Sequence, residues 1–295
     1  MARRPIWLWP NLLSLDAALV AFAWFMVFKK VWLVRYHQPT LPWLLALVVW
    51  CIYVADRLMD ERMAEMGSGR DTARHKFHRK FRMPFSIALL VGVLGSMSLL
   101  IVQARGLWTP GAFWSSPGSS HGIFVLIPVG VYFSISFFDA GRGVSYWKNI
   151  LAGFSFALGT AVGVHLHSQE SHILHLLLSP EVLAFAALCT LNMTAIDHWE
   201  ASRETNDHEQ KEIYEKVLTI LLVLLGGFAL LMAVKAEEHS LLIRKAFFYA
   251  IMVGAGLHWG INQLRNRFSL DALRVLADVA MLLPLPLFYW MLPDI

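Results

Sequence analysis

Nine apolar runs, each close to the length that crosses a bilayer, constrain this chain more than anything else in its sequence. A hydrocarbon layer about 30 Å thick takes roughly 20 apolar residues in helical form, and such runs fall near residues 8–28, 40–60, 84–104, 121–139, 146–165, 178–197, 216–235, 243–263 and 270–291. Without water in the hydrocarbon, backbone groups must be satisfied inside each segment, which favours helices. With 57% hydrophobic residues, 16% charged and a mean hydropathy of +0.53, the 295-residue chain is too apolar for an ordinary soluble domain. No linker or low-complexity stretch divides it. The expected fold is an all-α integral membrane protein, a nine-transmembrane-helix bundle over residues 1–295 in one domain.

The opening Met1 Ala2 Arg3 Arg4 Pro5 precedes an apolar stretch without a small-residue cleavage site, which reads as a retained first span. Cys51 and Cys189 each fall inside a span, where a thiol serves as apolar filler. The net charge of +4 follows from loops that obey membrane topology, and no base-reading motif points to nucleic acid. Placing the N-terminus in the cytoplasm puts 18 of the 25 lysines and arginines on the inner side and the C-terminus outside.

Two rows of acids then close two apolar runs at the same face. Asp56 and Asp60 are four apart, so a helix carries both carboxylates on one side. Asp197, Glu200 and Glu204 keep helical spacing at the end of the sixth run. Paired carboxylates at a helix end suit Mg²⁺, a hard ion that takes oxygen ligands and bridges to phosphates. A bland account pairs them with Arg57, Arg62 and Arg203 as cap charges; two rows on one face favour the ion.

Between the rows lies a basic stretch that includes Arg74 and Lys76. Such a loop touches anionic headgroups, and one or two of its cations are placed to close over a diphosphate. The fifth run begins Ser145 Tyr146 Trp147 Lys148, which brings Lys148 to the inner mouth, while Gly153, Gly159 and Gly163 permit close helix packing. Deeper charges are functional hypotheses by default. Arg274 and Asp278 are spaced as a neutralising pair. Asp16, about two turns into the first run, is expected to meet Arg274 or a substrate headgroup. His165, His167, His172 and His175 read as an incidental polar loop.

These features together resemble the UbiA superfamily of intramembrane prenyltransferases, whose nine-helix bundle carries two aspartate-rich motifs at the cytoplasmic ends of its second and sixth helices. Asp56 and Asp60 match the last two acids of Asn-Asp-x-x-Asp-x-x-x-Asp, with Ile52 and Tyr53 in place of the opening Asn-Asp. Asp197, Glu200 and Glu204 match Asp-x-x-Asp-x-x-x-Asp, with glutamates for the later aspartates. Tyr146 Trp147 Lys148 is similar to the family's Tyr-x-Lys segment.

The resemblance implies a central cavity opening to the cytoplasmic side and a lipid bilayer as surroundings. It implies Mg²⁺ on Asp56, Asp60, Asp197 and Glu200, an isoprenyl diphosphate as substrate and an acceptor of unknown identity. Lys148, with cations such as Arg57, Arg74 or Lys76, would hold the leaving diphosphate, with Tyr146, Glu204 and Asp16 nearby. Tyr53 and Trp199 would offer aromatic faces to an allylic cation. Transfer of a prenyl group to an apolar or aromatic acceptor is the expected reaction. Terpene cyclisation is its close alternative, and a non-catalytic transport or assembly protein is the alternative of another class.

Overall fold

The computed structural model describes residues 5–63, 73–103, 127, 129–131, 134, 144–168, 172–236 and 242–292. The described residues are helical, with no strand among them. After a short 3₁₀ turn, Ile6–Leu8, come α1 (Trp9–Leu12), α2 (Leu15–Val31), α3 (Leu41–Met63), α4 (Ala73–Lys80) and α5 (Arg82–Gln103). The second half holds α6 (Tyr146–His165), α7 (Ile173–Leu178), α8 (Pro180–Glu204), α9 (His208–Lys235), α10 (Leu242–Leu264), α11 (Leu270–Leu282) and α12 (Leu285–Trp290). Helices thus overlie eight of the nine expected runs; most of the run 121–139 lies outside the described residues.

Five helices are long and apolar enough to cross a membrane, and six if the bent pair of Ile6–Leu12 and Leu15–Val31 counts as one span. The burial pattern is that of a chain solvated by lipid. In α5 and α9, the most apolar spans, only 17% and 28% of the apolar window is buried, against 61% in the more polar α8. Water would reverse that order. In a bilayer, apolar side chains face outward and polar ones find partners between helices.

Local signals fix the helix starts. Ser179 accepts from the Val182 amide with Pro180 in the first turn, Asp207 from Glu209 and Gln210, and Ser269 from Ala272. The first expected run is not one helix. Ser14 adopts a left-handed backbone, φ 56°, and α1 meets α2 at 80°. Asp16 therefore sits in the first turn of α2 instead of two turns along a continuous helix, where the positive helix end favours a carboxylate.

Around the bundle α2 packs on α3 and α6, α3 on α5, α6 on α8, α8 on α9, α9 on α10, and α10 on α11 and α12. Contact of α11 with α2 closes the circuit. The core centres on Trp24, stacked on Phe185 at 4.4 Å and edge-on to Phe247, its indole N–H donated to the Met281 carbonyl at 2.9 Å. Gly153 has a structural reason: a Cβ there would lie 2.3 Å from Thr190 Oγ1 and 2.6 Å from its backbone nitrogen, so α6 and α8 approach this closely only with glycine.

Candidate functional site

The direction of each helix decides whether the two acidic rows can meet. Gly153 of α6 lies against Thr190, and Asn149 reaches Thr194 and Asp197, so α6 and α8 are antiparallel. At its other end α6 touches the start of α3: Gly163 abuts Leu41, while Phe156 lies edge-on to Tyr53 at 6.4 Å. Thus α3 also runs against α6. The C-terminal ends of α3 and α8, with Asp56 and with Asp197, Glu200 and Glu204, emerge at the same end of the bundle.

At that mouth, neighbouring helices hold the acids of α8 in place. Asn149 donates to Oδ2 of Asp197 at 2.8 Å. Arg274 of α11 donates from Nε and Nη2 to Oε1 of Glu200, at 2.9 and 2.6 Å, and from Nη1 to Asp271 at 3.3 Å. Arg274 therefore neutralises Glu200 and Asp271, not Asp278 as its helical spacing implies. Spacing along one helix counts only if both side chains turn the same way, and Arg274 is drawn across to α8. Beside Asp197, His198 donates from Nδ1 to the Tyr214 carbonyl at 3.0 Å, so the neutral ring accepts at Nε2 from the Tyr146 hydroxyl, also 3.0 Å away. Tyr146 and Lys148 thus stand in the opening turn of α6, next to the residue that holds Asp197.

Behind the mouth runs a polar chain within the bundle. Across the α1–α2 break Asn11 donates to Oδ2 of Asp16 at 2.6 Å. The Asp278 carboxyl lies close to the side chains of Asp16, Asn192 and Arg57. The Asn192 amide is joined to Nε2 of His258 at 2.8 Å, and Nδ1 of that ring donates to the Gly254 carbonyl at 2.8 Å. Asp16 thus lies near Asp278, and Arg57 turns inward beside them, 6% exposed. Tyr53 lies near Asp16, Asp278, Arg57 and Cys189. Although deep among helices, Tyr53, Asn192 and Asp278 each keep part of their surface accessible.

The remaining expected residues scatter. Trp199 is buried, and its indole N–H goes to Asn262 at 2.9 Å. Glu204 and Lys76 are exposed, Lys76 on α4, whose Phe77 packs edge-on to Trp9. The side chains of Asp60 and Arg74 lie outside the described residues. Of the histidines after α6, His165 packs edge-on to Trp32, and His172 accepts from the Leu174 amide to cap α7. Asn11, Asn149, Asn192, His198 and His258 belong to no motif in the sequence. Asn11, Asn192 and His258 are lone polar groups in apolar runs, which is their signal, while Asn149 and His198 adjoin Lys148 and Asp197.

The donor set at the mouth is chemically suited to Mg²⁺: carboxylate oxygens, two of them oriented by Asn149 and Arg274. Among the described residues no three His, Cys, Asp or Glu converge as a metal-binding group. Mg²⁺ commonly takes one or two carboxylates and completes its shell with water and substrate phosphate, so this set fits an ion shared with a diphosphate. No family model matches the chain, and no curated protein or solved structure is similar to it.

Proposed function

We propose that this chain is a Mg²⁺-dependent intramembrane prenyltransferase that moves a prenyl group from an isoprenyl diphosphate to an apolar or aromatic acceptor. The supporting observation is that the acid-bearing ends of α3 and α8 share one end of the bundle, with Lys148 and the Asn149–Asp197 contact between them. In this reading nine spans enclose a central cavity open to the cytoplasm at that end. The accessible surface that Tyr53, Asn192 and Asp278 keep inside the bundle would border it.

Asp56, Asp60, Asp197 and Glu200 would hold the ion, which supplies charge neutralisation to the diphosphate. Asn149 and Arg274 keep Asp197 and Glu200 aimed, and Lys148 donates to phosphate oxygens. When the allylic C–O bond breaks, its electron pair leaves on pyrophosphate. The acceptor's electron pair then bonds to the allylic carbon, and the acceptor gives up a proton. The Tyr53 ring, edge-on to Phe156, would offer its face to the cation, an attraction of about 0.5–2 kcal/mol.

The test is pyrophosphate release by the purified chain from geranyl, farnesyl and geranylgeranyl diphosphates with Mg²⁺. Release should cease on chelation and fall at least about 100-fold in Asp197→Ala, as when a stabiliser of developing charge is removed. Full activity in that variant rules the assignment out. Terpene cyclisation is the second reading. It is favoured by an aromatic ring, Tyr53, where the first motif otherwise places an acid, and it predicts a cyclic hydrocarbon when no acceptor is supplied.

A further inference from the structure

A second feature at the acidic end belongs to none of this chemistry. Successive residues of a helix turn by about 100°, so Trp199 and Ser202 face away from the row of Asp197, Glu200 and Glu204, and Arg203 stands at the edge of that row, about 60° from Glu200. On that far side of α8 a cleft of about 550 Å³ opens against the first turns of α9 and the turn after α10. Its size falls in the roughly 300–1,000 Å³ range of small-ligand sites. Trp199 and Leu273 give it an apolar wall, and Ser202 and His208 add polar groups.

Its charge is unbalanced. Three cations line it, Arg203, Lys211 and Arg265, with two acids, Glu212 and Glu215. Glu215 binds Arg265 at 2.6 Å, and Glu212 is bound by Lys216, also at 2.6 Å. Arg203 donates to the carbonyls of Arg265 and Phe268, which orient the guanidinium without cancelling its charge. Among the described residues neither Arg203 nor Lys211 has a carboxylate partner. Two positive charges therefore remain on one concave wall.

The cleft also lies at a boundary. The polar opening of α9, His208 to Lys216, gives way to an outward apolar face on which Ile220, Val223 and Leu224 are 58%, 61% and 62% exposed. A basic pocket where helices leave the apolar layer matches the chemistry of an anionic headgroup.

We propose that this cleft binds a phosphate group, carried by an anionic phospholipid at the membrane surface or by free phosphate. The site is independent of prenyl transfer.

Native mass spectrometry of the full chain with phosphatidylglycerol or phosphatidylcholine, and thermal shift with inorganic phosphate, separate the sources. Lys211→Gln should weaken phosphatidylglycerol retention roughly fivefold, the effect of one basic residue near a charged surface. Lys211→Glu should weaken it further, Lys211→Arg should restore it, and phosphatidylcholine should be indifferent. A loss confined to inorganic phosphate assigns the site to the free anion. If Lys211→Glu destabilises the unliganded chain, His208→Glu, at an exposed position, makes the same measurement. Phosphatidylglycerol and phosphate binding both unchanged by charge reversal would overturn the proposal.

Discussion

The mouth and the interior chain are both built from carboxylates, yet they solve the problem of charge in opposite ways. At the mouth the acids are set against donors: Asp197 against Asn149, Glu200 and Asp271 against Arg274. In the interior two acids, Asp16 and Asp278, lie close together, and the nearby cation is Arg57. Like charges brought together oppose one another, and a cation beside them offsets that. The difference lies in the acids: Glu200 is 12% and Asp271 31% exposed against 9% for Asp16, while both arginines are buried, Arg274 at 2% and Arg57 at 6%. The same kind of interaction should therefore matter more inside than at the end.

Removing each cation tests that difference. Arg57→Ala leaves the neighbouring acids Asp16 and Asp278 without their nearby cation and should cost about 3–5 kcal/mol, the usual loss when a buried charge is left uncompensated. Thermal unfolding in detergent measures it, with expression level as a second readout. Arg274→Ala also breaks a buried pair and should fall at the lower end of that range, about 3 kcal/mol, because water reaches Asp271 and part of Glu200. A double-mutant cycle with Glu200→Gln separates the pair from the packing of the arginine stem. If Arg274→Ala proves the costlier change, the interior is wetter than its burial implies and the contrast fails.

Tyr146→Phe should have the smallest effect. It deletes one hydrogen bond to His198 at a residue 41% exposed, a loss of about 0.5–1.5 kcal/mol. In the prenyl-transfer reading its effect on pyrophosphate release should exceed that on stability, since the opening turn of α6 also carries Lys148. Equal effects on both would assign Tyr146 to scaffolding alone.

The mouth was more legible in the sequence than the interior. Helical spacing and the basic loops sufficed to expect Asp56 and the acids of α8 at one end. The four-residue spacing of Arg274 to Asp278 describes one helix, while its partner Glu200 comes from another. Trp199, expected to offer an aromatic face, stands about 200° from Asp197 around the helix, in the wall of the basic cleft. The polar chain gave no pattern at all. Its members, from Asn11 to His258, lie on five helices and share no motif.

Apolar run length alone determined that this chain is helical and built for a bilayer, because hydrocarbon permits no other backbone for a single apolar segment. Even the break at Ser14, which turns α1 from α2, left that conclusion intact. Which polar groups meet was decided only by tertiary structure. A helix fixes the angle between its own side chains but not its rotation toward its neighbours. That rotation is set by packing at close contacts such as Gly153 on Thr190, and it brought Asp16 to Asp278 and Arg274 to Glu200.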